Sequence, residues 1–451
     1  MSERTLQAYI NERRVGELRD RNGIWSFAYD TSWVSAEDAY PLSPALPLGS
    51  KPIVDSSSAR PVQWYFDNLL PEEAARTLFA KDAKLGVADA FGLLTCYGAE
   101  SAGSLTLVAE ALEISTGVAR PLSDAQLQER IEALPRISLA SKAAKRMSLA
   151  GAQHKLAVIY KDDELFEPVG QAPSTHILKP NHTEPDYPHT VINEYFSMRL
   201  CRALKLGVPK VARRYVPAPV YLVERFDRGT VPNSDGVSRL HVVDACQALN
   251  LDRQFKYTQG NIERLAELAG RCTAPAAARI RIYSWLVFNL LTGNSDAHLK
   301  NLSFLLTRRG IELAPYYDLL AVAVYETRAF GKDIWPRTRL AWPLCGKRSF
   351  HELSRSTLLD AGRELGLSKG VAVRILDAQV YRIEQEARSL LAEIEAENAR
   401  LLESRAQLAS TFAGEMRCLR AVLEVVIRDM VACLDERKAS AANSSATHRT
   451  N

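Results

Sequence analysis

The stretch G-N-S-D-A-H-L-K-N at residues 293–301, read with P-Y-Y-D-L at 315–319, decides what kind of chain this is. Asp296 and Asn301 stand five positions apart, and Asp318 follows Asp296 by 22. A phosphoryl-transfer loop has this layout: an acidic side chain takes up the hydroxyl proton, an Asn five positions on reaches a metal ion, and a later Asp holds a second metal position. Asp318 would match the Asp of a kinase D-F-G segment in role, although the residues flanking it here are Tyr317 and Leu319. Residues 282–291 before the loop are apolar and helix-like, and the apolar run 302–306 separates the two motifs. A second reading stays open here: Gly293, Asn294 and Asp296 are also residues that end a helix in a turn.

The rest of the chain sets the frame for that choice. Its 451 residues suffice for two or three domains. With 47% hydrophobic and 24% charged residues the composition is that of a soluble globular protein. No apolar run approaches the roughly 20 residues of a membrane span, and M-S-E-R-T-L-Q-A-Y-I lacks the basic-then-apolar order of a secretory signal. Seven cysteines, an odd number without a C-x-x-C pair, predict reduced thiols rather than disulfides or a structural zinc. The expectation is a cytoplasmic protein with no membrane contact. A net charge of +4 permits an acidic partner without implying one.

Upstream, residues 4–29 alternate in short runs broken by N-E-R-R-V-G and Asn22-Gly23, which predicts a small antiparallel sheet. Residues 41–61, rich in Pro and Ser, predict a loop, and 64–97 predict helices, with Pro71 in a first helical turn. G-A-E-S-A-G-S-L-T-L at 98–107 is a tight turn entering a strand. Residues 122–134 predict an amphipathic helix opened by Ser123-Asp124. In S-L-A-G-A-Q-H-K-L-A-V-I-Y, at 148–160, a small-residue loop runs into a strand, and Gln153 and Lys155 can offer donors to an anion; with one Gly and no Lys-Ser/Thr pair it is not a Walker A loop. Lys179 ends the β-like run T-H-I-L-K-P, where the phosphate-reaching lysine of a kinase sheet sits, although most single lysines at strand ends are simply exposed. Glu194, placed in the first turn of a helix over 193–206, either pairs with Lys179 or serves the helix dipole.

V-Y-L-V-E-R-F-D-R at 220–228 is a strand, and an adenine edge would meet backbone groups at its end, near Glu224 to Phe226. Beyond it the chain turns helical, beginning with V-V-D-A-C-Q-A-L-N-L. A β-rich first half and helical second half predict an α+β fold of two lobes with a cleft between them. The boundaries expected are an N-terminal subdomain over 1–140, an N-lobe with the phosphate loop over 141–228, and a helical C-lobe with the catalytic and metal loops over 229–437. Residues 372–437 predict amphipathic helix packed on that lobe, with a coiled-coil dimer seam as the other reading, and 438–451 predict a disordered tail.

Assembled in order, these segments resemble the HipA family of serine/threonine kinases, the toxins of bacterial toxin–antitoxin pairs. The resemblance rests on N-E-R-R-V-G-E-L, F-D-N-L-L-P-E, S-L-A-G-A-Q-H-K, T-H-I-L-K-P, V-E-R-F-D-R, D-A-C-Q, N-S-D-A-H-L-K-N and P-Y-Y-D-L, and it weakens after about residue 355. It implies a two-lobed, protein-kinase-like fold related to lipid kinases, with ATP and Mg²⁺ as cofactors. By resemblance Asp296 is the catalytic base, and Asn301 and Asp318 are the Mg²⁺ ligands. Lys179 reaches the ATP phosphates, Ala150, Gly151, Ala152 and Gln153 form the phosphate loop with Lys155 at its end, and His298 and Lys300 contact phosphate. Glu224 and Phe226 border the adenine, and Gln247 lines the protein-substrate side. Ser148 is the residue such kinases autophosphorylate; nearly two added negative charges there would expel the loop and silence the enzyme.

The partners implied are a small helix-turn-helix antitoxin, operator DNA reached through it, and an aminoacyl-tRNA synthetase as substrate, glutamyl-tRNA synthetase foremost. Two other readings remain at this point. One is a small-molecule phosphotransferase of the aminoglycoside-kinase type, which shares the D-x-x-x-x-N loop but not the serine-led loop or the N-terminal sheet. The other is a silent co-repressor acting with a DNA-binding antitoxin.

Overall fold

The structure is a computed structural model that describes residues 3–109, 117–141, 143, 147, 149–230 and 236–435. Ser148 and residues 436–451, which include the expected tail, lie outside the described residues. The chain divides into two compact units. The first comprises Met1–Thr183, Ala212–Lys256 and Leu302–Ala314; the second comprises Glu184–Val211, Tyr257–Asn301 and Pro315–Asn451.

The first unit opens with β1 (Glu3–Ile10), β2 (Arg13–Arg21) and β3 (Ile24–Tyr29). Asn22 and Gly23 both take positive φ, 56° and 82°, which is the type I′ turn that matches strand twist. With β4 (Ile53–Val54) and β5 (Leu105–Val108) these strands form an antiparallel sheet in the order β4-β3-β2-β1-β5. Strand alternation sends Trp25, Phe27 and Tyr29 to one buried face. There Phe27 meets Phe66 of helix Pro61–Asp67 (ring centroids 5.5 Å apart), and Trp25 meets Phe91 of helix Ala90–Tyr97 edge-on at 5.2 Å.

A second sheet holds β6 (Val118–Pro121), β7 (Leu156–Lys161), β8 (Glu164–Val169), β9 (His176–Pro180), β10 (Val211–Tyr215) and β11 (Pro219–Glu224), in the order β10-β11-β9-β7-β8-β6. Helix Asp124–Glu132 starts at a capping box between Ser123 and Gln126. The hairpin β12 (Arg228–Thr230) and β13 (Val237–Arg239) follows. Then β14 (Val242–Asp244), β15 (Ser303–Thr307) and β16 (Gly310–Leu313) form a third sheet, to which residues 302–314 return after the catalytic stretch.

The second unit is helical around Pro275–Leu291, most of whose side chains are buried. Helices Thr190–Ala203, Ile262–Arg271 and Lys369–Val380 belong to this unit, as do Ile383–Ser404 and Ala409–Ala421. Among the described residues no helix is long and apolar enough to cross a membrane. All seven cysteines are free thiols.

Three local expectations need correction. Pro71 is not in a helix: it forms a parallel bridge with Gly151, and the helix begins at Glu73, because the Glu72 N–H is given to the Gly151 carbonyl at 3.1 Å. Helix Thr190–Ala203 starts three residues earlier than expected, so Glu194 lies beyond its first turn, buried, rather than at the positive end. V-V-D-A-C-Q-A-L begins as strand β14, paired to β15, and only Ala245–Ala248 is helical.

Candidate active site

The helix Pro275–Leu291 ends where Gly293 turns the chain at φ 65°. A Cβ at this position would lie 2.5 Å from Val426 Cγ1 and 3.2 Å from Ala323 Cβ, so glycine is needed for both space and backbone. The Gly293 carbonyl accepts from Ala323 N at 2.9 Å. Next, Asn289 Oδ1 accepts from Asn294 Nδ2 at 2.7 Å, and Asn294 Oδ1 accepts from Asp296 N at 3.1 Å. This chain of amides sets the backbone from which Asp296 projects. Its carbonyl receives His298 N at 2.8 Å and Asn301 Nδ2 at 3.0 Å. Asn301 thereby commits its amide nitrogen to the loop, and its side-chain oxygen is the atom with metal-ligand chemistry.

Two further groups brace the loop. Trp342 Nε1 donates to the Ala297 carbonyl at 3.0 Å, and the Tyr317 hydroxyl donates to the Lys300 carbonyl at 2.5 Å. His298, Lys300 and Asn301 are all buried, while Asp296 is half-buried. Tyr317 also ties the metal-loop candidate to the catalytic loop, since it precedes Asp318. On either side Tyr316 N donates to Gly207 O at 2.9 Å, and Ala321 N donates to Asn193 Oδ1 at 2.8 Å. Between these ties Asp318 sits at φ 58°, a left-handed conformation that Asp tolerates better than most residues. The second unit therefore brings Asp296, Asn301 and Asp318 onto two mutually bonded loops.

The first unit carries the other candidates. Gly151 lies at φ 112° in the loop Ala150–Gln153, and residues 150–155 are all half-buried. Gln153 Nε2 donates to the Pro180 carbonyl at 3.2 Å, and Lys155 Nζ donates to the Ala150 carbonyl at 2.7 Å. The expected anion donors thus hold the loop to β9 and to itself. Burial, then His182 and Lys155, hold the His154 imidazole below its ordinary value. Lys179, on β9 opposite Tyr221 of β11, is only 5% exposed, with its ammonium 5.9 Å from the Tyr221 ring centroid. It is not the solvent-facing lysine that a strand end usually carries.

Glu224 ends β11 and Phe226 follows two residues beyond it; the residues interleaved with them, Arg225 and Asp227, are buried in an ionic cluster. Arg225 holds both Asp227 oxygens (2.9 and 2.6 Å); Arg228 and Arg239 reach Glu100 at 2.9 and 3.2 Å; Gly103 N donates to Asp227 Oδ2 at 2.6 Å. Burial pushes the Asp227 carboxyl up, but Arg225 and Arg228 outweigh it and hold it below the usual range. Burial and the neighbouring Arg225 draw Arg228 down to about 10. The alternation in V-E-R-F-D-R was a readable signal for this cluster; its partner Glu100, more than 120 positions away, was not. Gln247 is buried and occupied: its Oε1 accepts from Asp244 N at 3.0 Å and its Nε2 donates to Tyr65 O at 2.9 Å.

Sequence reasoning missed one residue of this site. The Tyr257 hydroxyl donates to Asp296 Oδ1, and the Tyr257 ring packs edge-on against His298 with centroids 5.0 Å apart. Nothing in Q-F-K-Y-T-Q-G marks that tyrosine.

Comparison with known proteins bears on the family. Residues 147–387 match the HipA-like C-terminal domain, and residues 6–108 match the HipA N-terminal domain. The chain is 38% identical to Y4mE of Sinorhizobium fredii over 339 residues, which is 72% of this chain and 79% of that protein. It is 32% identical to the serine/threonine-protein kinase toxin HipA of Shewanella oneidensis over 340 residues, 71% of this chain and 76% of the relative. A solved structure of HipA from Shewanella oneidensis with HipB and operator DNA superposes with a TM-score of 0.72 at 28% identity, covering 94% of this chain and 99% of that one.

Proposed function

The chain belongs to the HipA family, and from that premise we propose that it is an ATP- and Mg²⁺-dependent serine/threonine protein kinase, the toxin of a bacterial toxin–antitoxin pair. The observation that carries the reading is the bracing of the D-A-H-L-K-N loop, in which Asn301 caps the Asp296 carbonyl and Tyr317 joins that loop to the one bearing Asp318. A turn that merely ended a helix would need none of these ties.

In the proposed reaction a serine or threonine hydroxyl oxygen attacks the γ-phosphorus of ATP. The bond to the β,γ-bridging oxygen breaks, ADP leaves with that electron pair, and Asp296 takes the hydroxyl proton. Lys179 supplies fixed positive charge to the phosphates. The residues present suit Mg²⁺: an Asn oxygen and an Asp carboxylate are hard ligands, and among the described residues no group of three or more His, Cys, Asp and Glu side chains could hold a metal alone. Mg²⁺ usually completes its shell with phosphate oxygens and water, and when bound it neutralises charge on the β- and γ-phosphates. Asn301 and Asp318 would hold it.

Finer features of the proposal come with the family. They are autophosphorylation at Ser148, an aminoacyl-tRNA synthetase as target with glutamyl-tRNA synthetase first, and a HipB-like antitoxin that carries the protein to operator DNA, all in the bacterial cytoplasm. The test is incubation of purified protein with γ-labelled ATP, with and without EDTA, alone and with purified synthetases. Magnesium-dependent label on Ser148 and on a synthetase supports the reading. Label only on a small solute, or no ATP turnover, defeats it.

A further inference from the structure

We propose that Tyr257 is a positioning residue for the proton acceptor Asp296; the proposal rests on the kinase reading above. A carboxylate that accepts a proton in flight must present a chosen lone pair, and Asp has two free side-chain torsions with which to lose it. The backbone ties already described fix the Asp296 main chain, not its carboxylate. Tyr257 acts on the carboxylate itself. Its hydroxyl donates to Oδ1, and its own ring is held edge-on against His298, two residues further along the same loop. The tyrosine therefore senses the loop at two points and sets the carboxylate plane relative to it.

The arrangement suits a positioning role better than a blocking one. An ionised carboxylate offers about four lone-pair sites, and a phenolic donor that orients it takes up one of them. Tyr257 and Asp296 are both half-buried, so the pair is reachable by a protein substrate without unfolding the loop. The surroundings on the other side are rigid: Gly260, three residues on, is backed by the Trp342 indole, with a Cβ there only 2.7 Å from Trp342 Cδ1, and the same indole donates to the Ala297 carbonyl. One tryptophan thus braces both the segment that carries Tyr257 and the loop that carries Asp296.

The test is a double-mutant cycle on the full chain in the labelled-ATP assay. Tyr257→Phe keeps the ring against His298 and removes only the hydroxyl. We expect kcat to fall about 10- to 100-fold, the scale of a misplaced reacting group, while the KM for ATP stays within about twofold, because uniform binding is untouched. If Tyr257 acts through Asp296, then Tyr257→Phe added to Asp296→Asn lowers the residual rate no further. A purely structural tyrosine would lower both backgrounds equally. Equal kcat in Tyr257→Phe and wild type overturns the proposal while leaving the kinase reading intact, and a raised kcat would make Tyr257 a blocking group and overturn it as well. A wild-type protein with no ATP turnover removes both.

Discussion

The two loops that carry the candidate chemistry are built in opposite ways. The catalytic loop, residues 293–301, hangs from an amide relay through Asn289 and Asn294, a carbonyl shared by His298 and Asn301, and the Trp342 and Tyr317 braces; its last four residues are buried. The phosphate-loop candidate, residues 150–155, is half-buried throughout. Its ties include a main-chain bond from Glu72, one from Gln153 to Pro180, and a lysine curled onto its own loop. The difference follows from the tasks proposed for them. Proton transfer fails when a carboxylate moves by a fraction of its hydrogen-bond length, so its support is redundant. A loop proposed to admit and release a charged nucleotide, and whose leading serine would take a phosphate, must be able to open, and ties made by flexible side chains such as Gln153 and Lys155 can let go.

Four experiments sharpen or break that contrast. The largest effect belongs to Asp296→Asn, which we expect to lower kcat by about 10²- to 10⁴-fold with the melting temperature nearly unchanged; a rate near wild type would mean that the rigid loop supports something other than proton transfer. Gly293→Ala comes next. The left-handed backbone costs about 1–2 kcal/mol and contact with Val426 and Ala323 adds about 1–3 kcal/mol of overpacking, so the urea midpoint should drop clearly.

Gly151→Ala tests the other loop. Its φ of 112° is costly for alanine, about 1–3 kcal/mol, but the atom a Cβ would meet at 2.4 Å is Lys155 Nζ, the end of a flexible chain. Stability should fall less than in Gly293→Ala, and the KM for ATP should rise more than kcat falls. The reverse order of stability would show that the phosphate loop is the stiffer of the two.

The smallest effect concerns pH. Because His154 is held below 6.5 when folded, above that pH neither state binds the proton and nothing is lost. As pH falls through 6.5 the unfolded chain takes up a proton that the folded chain resists, so stability declines until the folded value is passed. In urea titrations the loss between pH 7.5 and 5.5 should be smaller in His154→Gln than in wild type. Identical losses would remove His154 from the loop's acid response.

Much of the fold was legible locally. The Asn22-Gly23 hairpin, the Ser123 capping box and the helix ended by Gly293 follow from residues that can satisfy their backbones in only a few ways. The α+β character and the kinase-like order of motifs could be read from spacing, and the HipA family confirmed by comparison was recognisable in S-L-A-G-A-Q-H-K and N-S-D-A-H-L-K-N. Boundaries failed where a distant strand or carbonyl competed for the same hydrogen bond. Pro71 is taken by Gly151, and Val242–Asp244 by β15, across 80 and some 60 positions.

By itself, then, the sequence determined which chemical groups the protein has and the short-range geometry of the loops that hold them, because turns and caps are decided within a few residues. Only the tertiary structure decided that residues 302–314 leave the helical unit that contains Asp296 and Asp318 to complete a sheet in the other unit. It alone placed Glu100 among Arg225, Arg228 and Arg239, and Tyr257 on Asp296. Those contacts join residues 39 to 139 positions apart. They form because buried charges and aimed carboxylates need partners, and the fold rather than the local chain supplies them.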